Sequence, residues 1–84
     1  MVHELKTWKE YFQMVVRGDK PFELRKNDRN FIGNDELLLR EFDNETKEYT
    51  GRILHRRITY VLKGKEAEKF GLKDGYCILG LDKV

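Results

Sequence analysis

The segment Thr7-Trp8-Lys9-Glu10-Tyr11-Phe12-Gln13-Met14-Val15-Val16-Arg17-Gly18 decides how this chain of 84 residues can fold. Its apolar residues recur three and four positions apart, the spacing of one face of an α-helix, and form a wide stripe: Trp8, Tyr11, Phe12, Val15 and Val16. Thr7 followed by Glu10 predicts a capping box, and Gly18 is typical of the left-handed residue that ends a helix. The rest of the fold must therefore supply a surface that covers this stripe.

The strand predicted directly after the helix, from Pro21 to Lys26, alternates apolar and charged side chains. Because side chains point to opposite faces along an extended chain, Phe22 and Leu24 share one face. Glu23 and Arg25 share the other. We expect Phe22 and Leu24 to be the pair that enters the core.

Four further segments are typical of strands, and one of a short second helix. The predicted strands are Val2–Lys6, Leu37–Phe42, Tyr49–Leu62 and Tyr76–Leu81, and the helix is Lys65–Phe70. Most connections are too short for parallel crossovers, so we expect an α+β fold with a largely antiparallel sheet. A small curled sheet or open barrel, with the first helix packed at its opening, is the most economical way to bury the stripe. We expect residues 1–84 to form one domain.

The composition excludes several classes of protein. Seventeen Lys and Arg against fifteen Asp and Glu give a net charge of +2, which excludes a strongly basic tail or an acidic solvating segment. No run approaches the roughly 20 apolar residues of a membrane span, and the N-terminus lacks a signal-peptide core, so we expect a cytoplasmic protein without a membrane partner. The lone Cys77 is expected in the core. His3 and His55 are isolated, so we predict neither a metal nor a cofactor.

The charges are unevenly distributed along the chain. A candidate anion-facing strand carries five cations without an intervening acid: Arg52, Arg56, Arg57, Lys63 and Lys65. The segment Glu41–Glu48 has a net charge of −3 and would repel a phosphate backbone. The alternative interpretation of such clusters is a solvated face with exposed ion pairs.

A second, mixed cluster follows the helix. Its members are the cations Arg17, Lys20, Arg25, Lys26 and Arg29 and the acids Asp19, Glu23 and Asp28. The head groups of Lys20, Glu23 and Arg25 can converge on one cleft. A carboxylate flanked by cations stays ionised and can accept from a base amino group, while the cations can donate to phosphate or carbonyl oxygens. These groups are complementary to a nucleotide. The loop after Lys26 adds Asn27, and Phe31 is expected as a core anchor.

No catalytic constellation competes with this interpretation. The chain contains no serine, and its seven glycines are scattered singly, so no phosphate-binding loop is present. Glu66 and Glu68 lie in a lysine-rich stretch and are expected at the surface.

The residues Gly18-Asp19-Lys20-Pro21-Phe22-Glu23-Leu24-Arg25 are similar to the G-x-K-x-x-E-x-R signature of the ASCH domains, which belong to the PUA-like superfamily. The flanking segments match as well, from His3–Lys6 at one end to Tyr76–Leu81 at the other. The resemblance therefore covers nearly the whole chain. It looks like the small stand-alone microbial branch, whose function is uncharacterised.

The resemblance implies a PUA-like β-barrel with a cleft beside the N-terminal helix, and a role in binding RNA or a modified nucleobase. Lys20, Glu23 and Arg25 are the implied cleft residues, and Gly18 shapes the turn that delivers them. One branch of the family comprises small amidohydrolases that remove an acyl group from a cytidine amine with a threonine nucleophile. Glu23 stands at that position here, so hydrolysis would depend on water activated by Glu23 with Lys20 as electrostatic partner.

Three functions remain open, and we favour the first, which is not enzymatic. It is an RNA- or nucleotide-binding module that uses Lys20, Glu23, Arg25, Lys26, Asn27, Arg29, Arg52, Arg56 and Arg57. The second is a small amidohydrolase of acylated cytidine that uses Lys20 and Glu23. The third is a protein-interaction adaptor with an exposed sheet edge, which a closed cleft and a covered basic strand would favour.

Overall fold

The computed structural model describes residues 1–84 and contains five strands and two helices. In chain order these are β1 (Val2–Trp8), α1 (Lys9–Arg17), β2 (Phe22–Lys26), β3 (Glu36–Asp43), β4 (Glu48–Leu62), α2 (Gly64–Glu68) and β5 (Tyr76–Lys83). The strands form one curled half-barrel sheet in the order β1-β3-β4-β5-β2. β1 runs parallel to β3, and every other neighbouring pair is antiparallel. The predicted α+β class and largely antiparallel, barrel-like sheet are confirmed.

The two edge strands, β1 and β2, face each other across a gap that we call the seam. Arg25 of β2 donates a hydrogen bond to the backbone carbonyl of Lys6 in β1. Arg29, three residues beyond β2, donates to the carbonyl of Glu4 at 2.8 Å. Two guanidinium groups therefore bridge the seam where a closed barrel would have a backbone ladder.

The long strand β4 carries the curl of the sheet. Its first part pairs with β3, and its second part pairs with β5. The register of the first pairing shifts between Arg40 and Phe42 of β3, and the register of the second shifts between Ile58 and Tyr60 of β4. Such bulges bend a strand and increase its twist. The bend was predicted near Gly51, which has a φ of 95°, or near Arg56 and Arg57. The first shift leaves the extra residues in β4 around Gly51, because Arg40 pairs with Ile53 and Phe42 with Tyr49, and the second bulge lies two residues beyond Arg57.

The core lies between the concave face of the sheet and α1. Its nine buried residues are Leu5, Phe12, Val15, Phe31, Leu37, Leu39, Ile58, Cys77 and Leu79. The predicted core positions of Phe31 and Cys77 are confirmed, and burial raises the pKa of the Cys77 thiol. The helical stripe is narrower than predicted, because only Phe12 and Val15 are buried, whereas Trp8, Tyr11 and Val16 are exposed.

The predicted capping box at the start of α1 is wrong. Thr7 belongs to β1, where it pairs with Glu41, and its side chain is buried. The helix begins at Lys9 with no side-chain capping hydrogen bond. The strand runs directly into the helix, so no turn is left in which a threonine could cap. At the other end Gly18 has a φ of 86° and donates its N–H to the Val15 carbonyl, as predicted.

The second helix, α2, is short and ends before the turn at Gly71, close to the predicted segment. Neither helix has the length and apolar character needed to pass through a bilayer. Side chains of His, Cys, Asp and Glu do not gather in groups of three or more that could hold a metal ion.

Candidate functional site

The face of strand β2 that points into the core is the opposite of the one that we predicted. Glu23 is only 4% exposed, whereas Phe22 and Leu24 are 42% and 55% exposed. The expectation that Phe22 and Leu24 form a core pair is wrong. A buried carboxylate is costly unless both of its oxygens are paired, so the partners of Glu23 explain the orientation.

Both oxygens of Glu23 accept hydrogen bonds from cations. Lys20 Nζ lies 2.6 Å from Oε1, and Arg25 Nε lies 3.0 Å from Oε2. The side chains of Lys20 and Arg25 are themselves only 16% and 26% exposed, so only a small part of this cluster of three contacts solvent. Lys20 Nζ also lies 5.6 Å from the ring centre of Tyr11 and 5.4 Å from that of Phe22, within the range of cation–π attraction.

This charged cluster lies at an open cleft of about 590 Å³ between the edges of β1 and β2. Four aromatic side chains line the cleft: Trp8, Tyr11, Phe22 and Tyr76. Its volume falls within the range of clefts that hold small organic ligands. The cleft thus combines ring surfaces with a carboxylate whose position is fixed.

A comparison with known families decides to which group the chain belongs. Residues 2–81, nearly the whole chain, match the domain of unknown function DUF3850. The chain belongs to this family. An uncharacterised 12.9 kDa protein in the GpA 3' region of Escherichia phage P2 is 42% identical to the DUF3850 chain over 60 residues. Those residues are 71% of this chain and 53% of the phage protein, so the chain spans about half the length of the curated relative that it matches.

Within the DUF3850 domain, five predicted binding residues line the cleft: Lys20, Glu23, Arg25, Lys26 and Arg29. Three of these cations are engaged, two by Glu23 and Arg29 by a backbone carbonyl. Lys26 forms no ion pair and is exposed. Asn27 does not line the cleft. Its N–H donates to the Gly75 carbonyl, and its Oδ1 is buried without a partner.

The three predicted arginines of β4 lie outside the cleft and have different surroundings. Arg52 Nη1 lies 3.5 Å from Glu41 Oε2. Arg57 Nη2 lies 3.4 Å from Asp82 Oδ2. Arg56 is half-buried, donates to the carbonyl of its neighbour His55 and meets no carboxylate. Because alternate residues of a strand face opposite sides of the sheet, the structure does not bring the three together on one surface.

Several cleft residues were missed from the sequence. Lys6 lines the cleft without an ion pair, with its Nζ 4.6 Å from the ring centre of Phe42. Thr7 also lines the cleft, and its buried hydroxyl has no hydrogen-bond partner, which is uncommon for a buried polar group. We expect Trp8 and Tyr11 in the core because helical periodicity identifies the apolar face of a helix. Periodicity does not give how much of that face a sheet will cover. The alternation of Val2 to Lys6 could have placed Lys6 at the surface, but not beside β2.

Proposed function

We propose that this DUF3850 domain is a small RNA- or nucleotide-binding module of the ASCH, PUA-like type, and that the seam cleft holds one nucleotide unit. The observation that carries the proposal is a buried, ion-paired carboxylate in an open cleft lined by four aromatic side chains. The ASCH-like signature supports it, because Lys20, Glu23 and Arg25 meet in one cluster and Gly18 adopts the left-handed conformation at the turn.

The base would enter the cleft with its ring against the aromatic side chains. Trp8 and Tyr11 are partly exposed there, and stacking of a base on an aromatic side chain contributes about 1–3 kcal/mol. Each oxygen of Glu23 keeps acceptor capacity beyond its bond to a cation. Lys20 and Arg25 hold this carboxylate in place, so it can accept a hydrogen bond from the exocyclic amine of a base.

The phosphate would remain at the rim of the cleft. Lys6 and Lys26 line the cleft and have no carboxylate partner. Contacts between such side chains and phosphate depend on salt, because binding releases counterions. In this arrangement Lys20 and Arg25 position Glu23, and Lys6 and Lys26 contact the phosphate.

Neither alternative function gains support from these contacts. The contacts of Glu23 with Lys20 and Arg25 hold it in place as a hydrogen-bond acceptor, and neither contact bears on the activation of water. A protein-interaction adaptor would be favoured by a covered basic strand and a closed cleft. β4 is paired on both sides, but the cleft is open.

An NMR titration of the intact chain with nucleoside monophosphates and short RNAs tests the proposal. We expect shifts at Trp8, Tyr11, Lys26 and Tyr76, and weaker binding by Trp8→Ala, whereas the matched aromatic variant Phe70→Ala outside the cleft should bind as the wild type does. Absence of binding across the panel at low salt would overturn the proposal. Release of acetate from acetylated cytidine would indicate the hydrolase instead.

A further inference from the structure

A second, smaller groove lies on the other side of the turn that joins α1 to β2. Its volume is about 220 Å³, and its walls come from the end of α1, from Pro21, from Arg56 in the interior of β4 and from the end of β5. Pro21 lines this second groove, while its neighbours Lys20 and Phe22 line the cleft. Only the turn at residues 18–21 therefore separates the two depressions.

The second groove presents two cations that no acid neutralises. Arg56 and Lys83 line it, and neither forms an ion pair with a side chain. Asp82 is the one acid in its lining, and it is engaged by Arg57. Arg17 is paired with Asp19 at 2.7 Å. The free charge of the second groove is thus positive.

The end of α1 offsets this positive charge only in part. The last carbonyls of a helix carry partial negative charge and would repel an anion. Two of them are already occupied, since the Val15 carbonyl accepts from Gly18 N–H at 3.1 Å and the Met14 carbonyl accepts from Lys20 N–H at 3.2 Å. The turn itself supplies these donors.

The strand register gives the distance between the two depressions. Phe22 pairs with Gly80, and Lys83 pairs with Arg56. Phe22 and Arg56 are therefore separated by three residues along β5 and by two spacings between neighbouring strands. This places their backbones about 14 Å apart. A strand with stacked bases advances about 3.4 Å per nucleotide, so the three steps of a tetranucleotide cover about 10 Å, and the long side chain of Arg56 can span the remainder.

We propose that the partner of this domain is single-stranded RNA, and that its backbone runs from the base in the cleft across the turn at residues 18–21 to Arg56 and Lys83. The inference rests on the proposed function, because the base in the cleft fixes where this path begins. Phosphate contacts of this kind position a strand without recognising its sequence. Of the three arginines of β4, only Arg56 takes part, because the other two are paired with acids.

Fluorescence anisotropy with labelled RNAs of one base type tests the path. We expect a tetranucleotide to bind about tenfold more tightly than the mononucleotide, because charge-assisted contacts are added. Arg56→Ala and Lys83→Ala should each weaken binding of the tetranucleotide and reduce the slope of log K against log salt by about 0.7. Both variants should bind the mononucleotide as the wild type does. Arg56→Lys, which keeps the charge, should retain most of the affinity.

Lys69→Ala is the matched control, since it removes the same charge from a residue that lines neither depression. If mononucleotide and tetranucleotide bind equally and Arg56→Ala changes neither, the path is wrong while the proposed function stands. If a duplex binds as tightly as the single strand, the path is also wrong. If no RNA or nucleotide binds, both proposals fail. Lys83 is exposed, so Lys83→Ala keeps the test valid should Arg56→Ala fail to fold.

Discussion

Arg25 spans the seam of the sheet and donates a hydrogen bond to the backbone carbonyl of Lys6. Its Nε also donates to Glu23 at 3.0 Å. One guanidinium group therefore joins the two edge strands and holds the carboxylate at the cleft. Stability of the half-barrel and geometry of the candidate site depend on the same side chain.

Substitution of Arg25 should therefore affect folding and binding together. Arg25→Ala leaves an oxygen of the buried Glu23 without its donor, and we expect the free energy of unfolding to fall by about 2 kcal/mol. Arg25→Lys keeps a positive charge but cannot reproduce the fork of donors that serves Glu23 and Lys6 at once, so we expect an intermediate loss. Urea unfolding of both variants measures the effect. Wild-type stability for Arg25→Ala would show that the seam contact contributes nothing.

Glu23→Gln should separate recognition of the base from attraction of the phosphate. The amide preserves the shape of the side chain but replaces one acceptor oxygen by a donor group, so we expect weaker binding of a nucleoside with an exocyclic amine. The same change removes a negative charge beside Lys20 and Arg25, so the salt dependence of binding to a nucleotide should increase. Calorimetric titrations with a nucleoside and its monophosphate measure both effects. Stronger binding of the nucleoside by Glu23→Gln would contradict the role that we propose for Glu23.

Gly80→Ala tests the packing of β5 against the bulge in β4. A Cβ atom on Gly80 would lie 2.6 Å from Thr59 Oγ1, closer than real contacts allow. We expect a loss of about 1–3 kcal/mol in thermal or urea unfolding, as for other overpacked sites. The double variant with Thr59→Ala should recover part of that loss. Gly33→Ala is a control, because its added Cβ would meet its nearest neighbour at an ordinary 3.8 Å.

The acid stability of the domain should depend on Asp35. His3 Nε2 donates to Asp35 Oδ2 at 2.9 Å, and this bond, with those from the N-terminal amine and Ile32 N–H, holds the pKa of Asp35 below its usual value. A carboxyl whose pKa is lower in the folded state stabilises the fold above its ordinary pKa of 3.8 and loses that contribution as the pH falls towards its folded pKa. We therefore expect unfolding free energy to decrease below about pH 4.

Asp35→Asn should make the unfolding free energy less dependent on pH in this acidic range, although the variant will be less stable at neutral pH because it loses its pairing with His3. Denaturant unfolding at a series of pH values measures both effects. Asp74→Asn, in the turn before β5, is the control and should retain the wild-type profile. An Asp35→Asn profile as steep as that of the wild type would place the acid sensitivity elsewhere.

Most of the strands were predictable because their apolar residues are continuous or alternate. The predicted segment Leu37–Phe42 lies within β3, and the predicted hairpin after Asp43 joins β3 to β4. The parallel pairing of β1 with β3 was not predictable from alternation, which is the same for both directions. It depends on the chain between the two strands, because α1, β2 and a loop separate β1 from β3 and leave room for a parallel connection.

The orientation of β2 was not predictable from its own five residues. Alternation places Glu23 opposite Phe22 and Leu24 but does not say which face is buried, and hydrophobicity favours the wrong one. The outcome depends on Lys20, outside the strand, and Arg25, which together pair both carboxylate oxygens. The signature pattern contains Lys20, Glu23 and Arg25, which the structure brings together, but their geometry could not be predicted without the fold.

The topology also governs when the cleft can form during synthesis. β2 has a single partner in the sheet, β5, and their paired residues Phe22 and Gly80 are separated by most of the chain. A pairing so distant in sequence carries a large loop-closure cost and cannot begin until the last strand has left the ribosome. The nascent chain therefore cannot assemble one wall of the cleft before β5 is available. A truncation within β5 would remove that wall even though every residue of β2 remained.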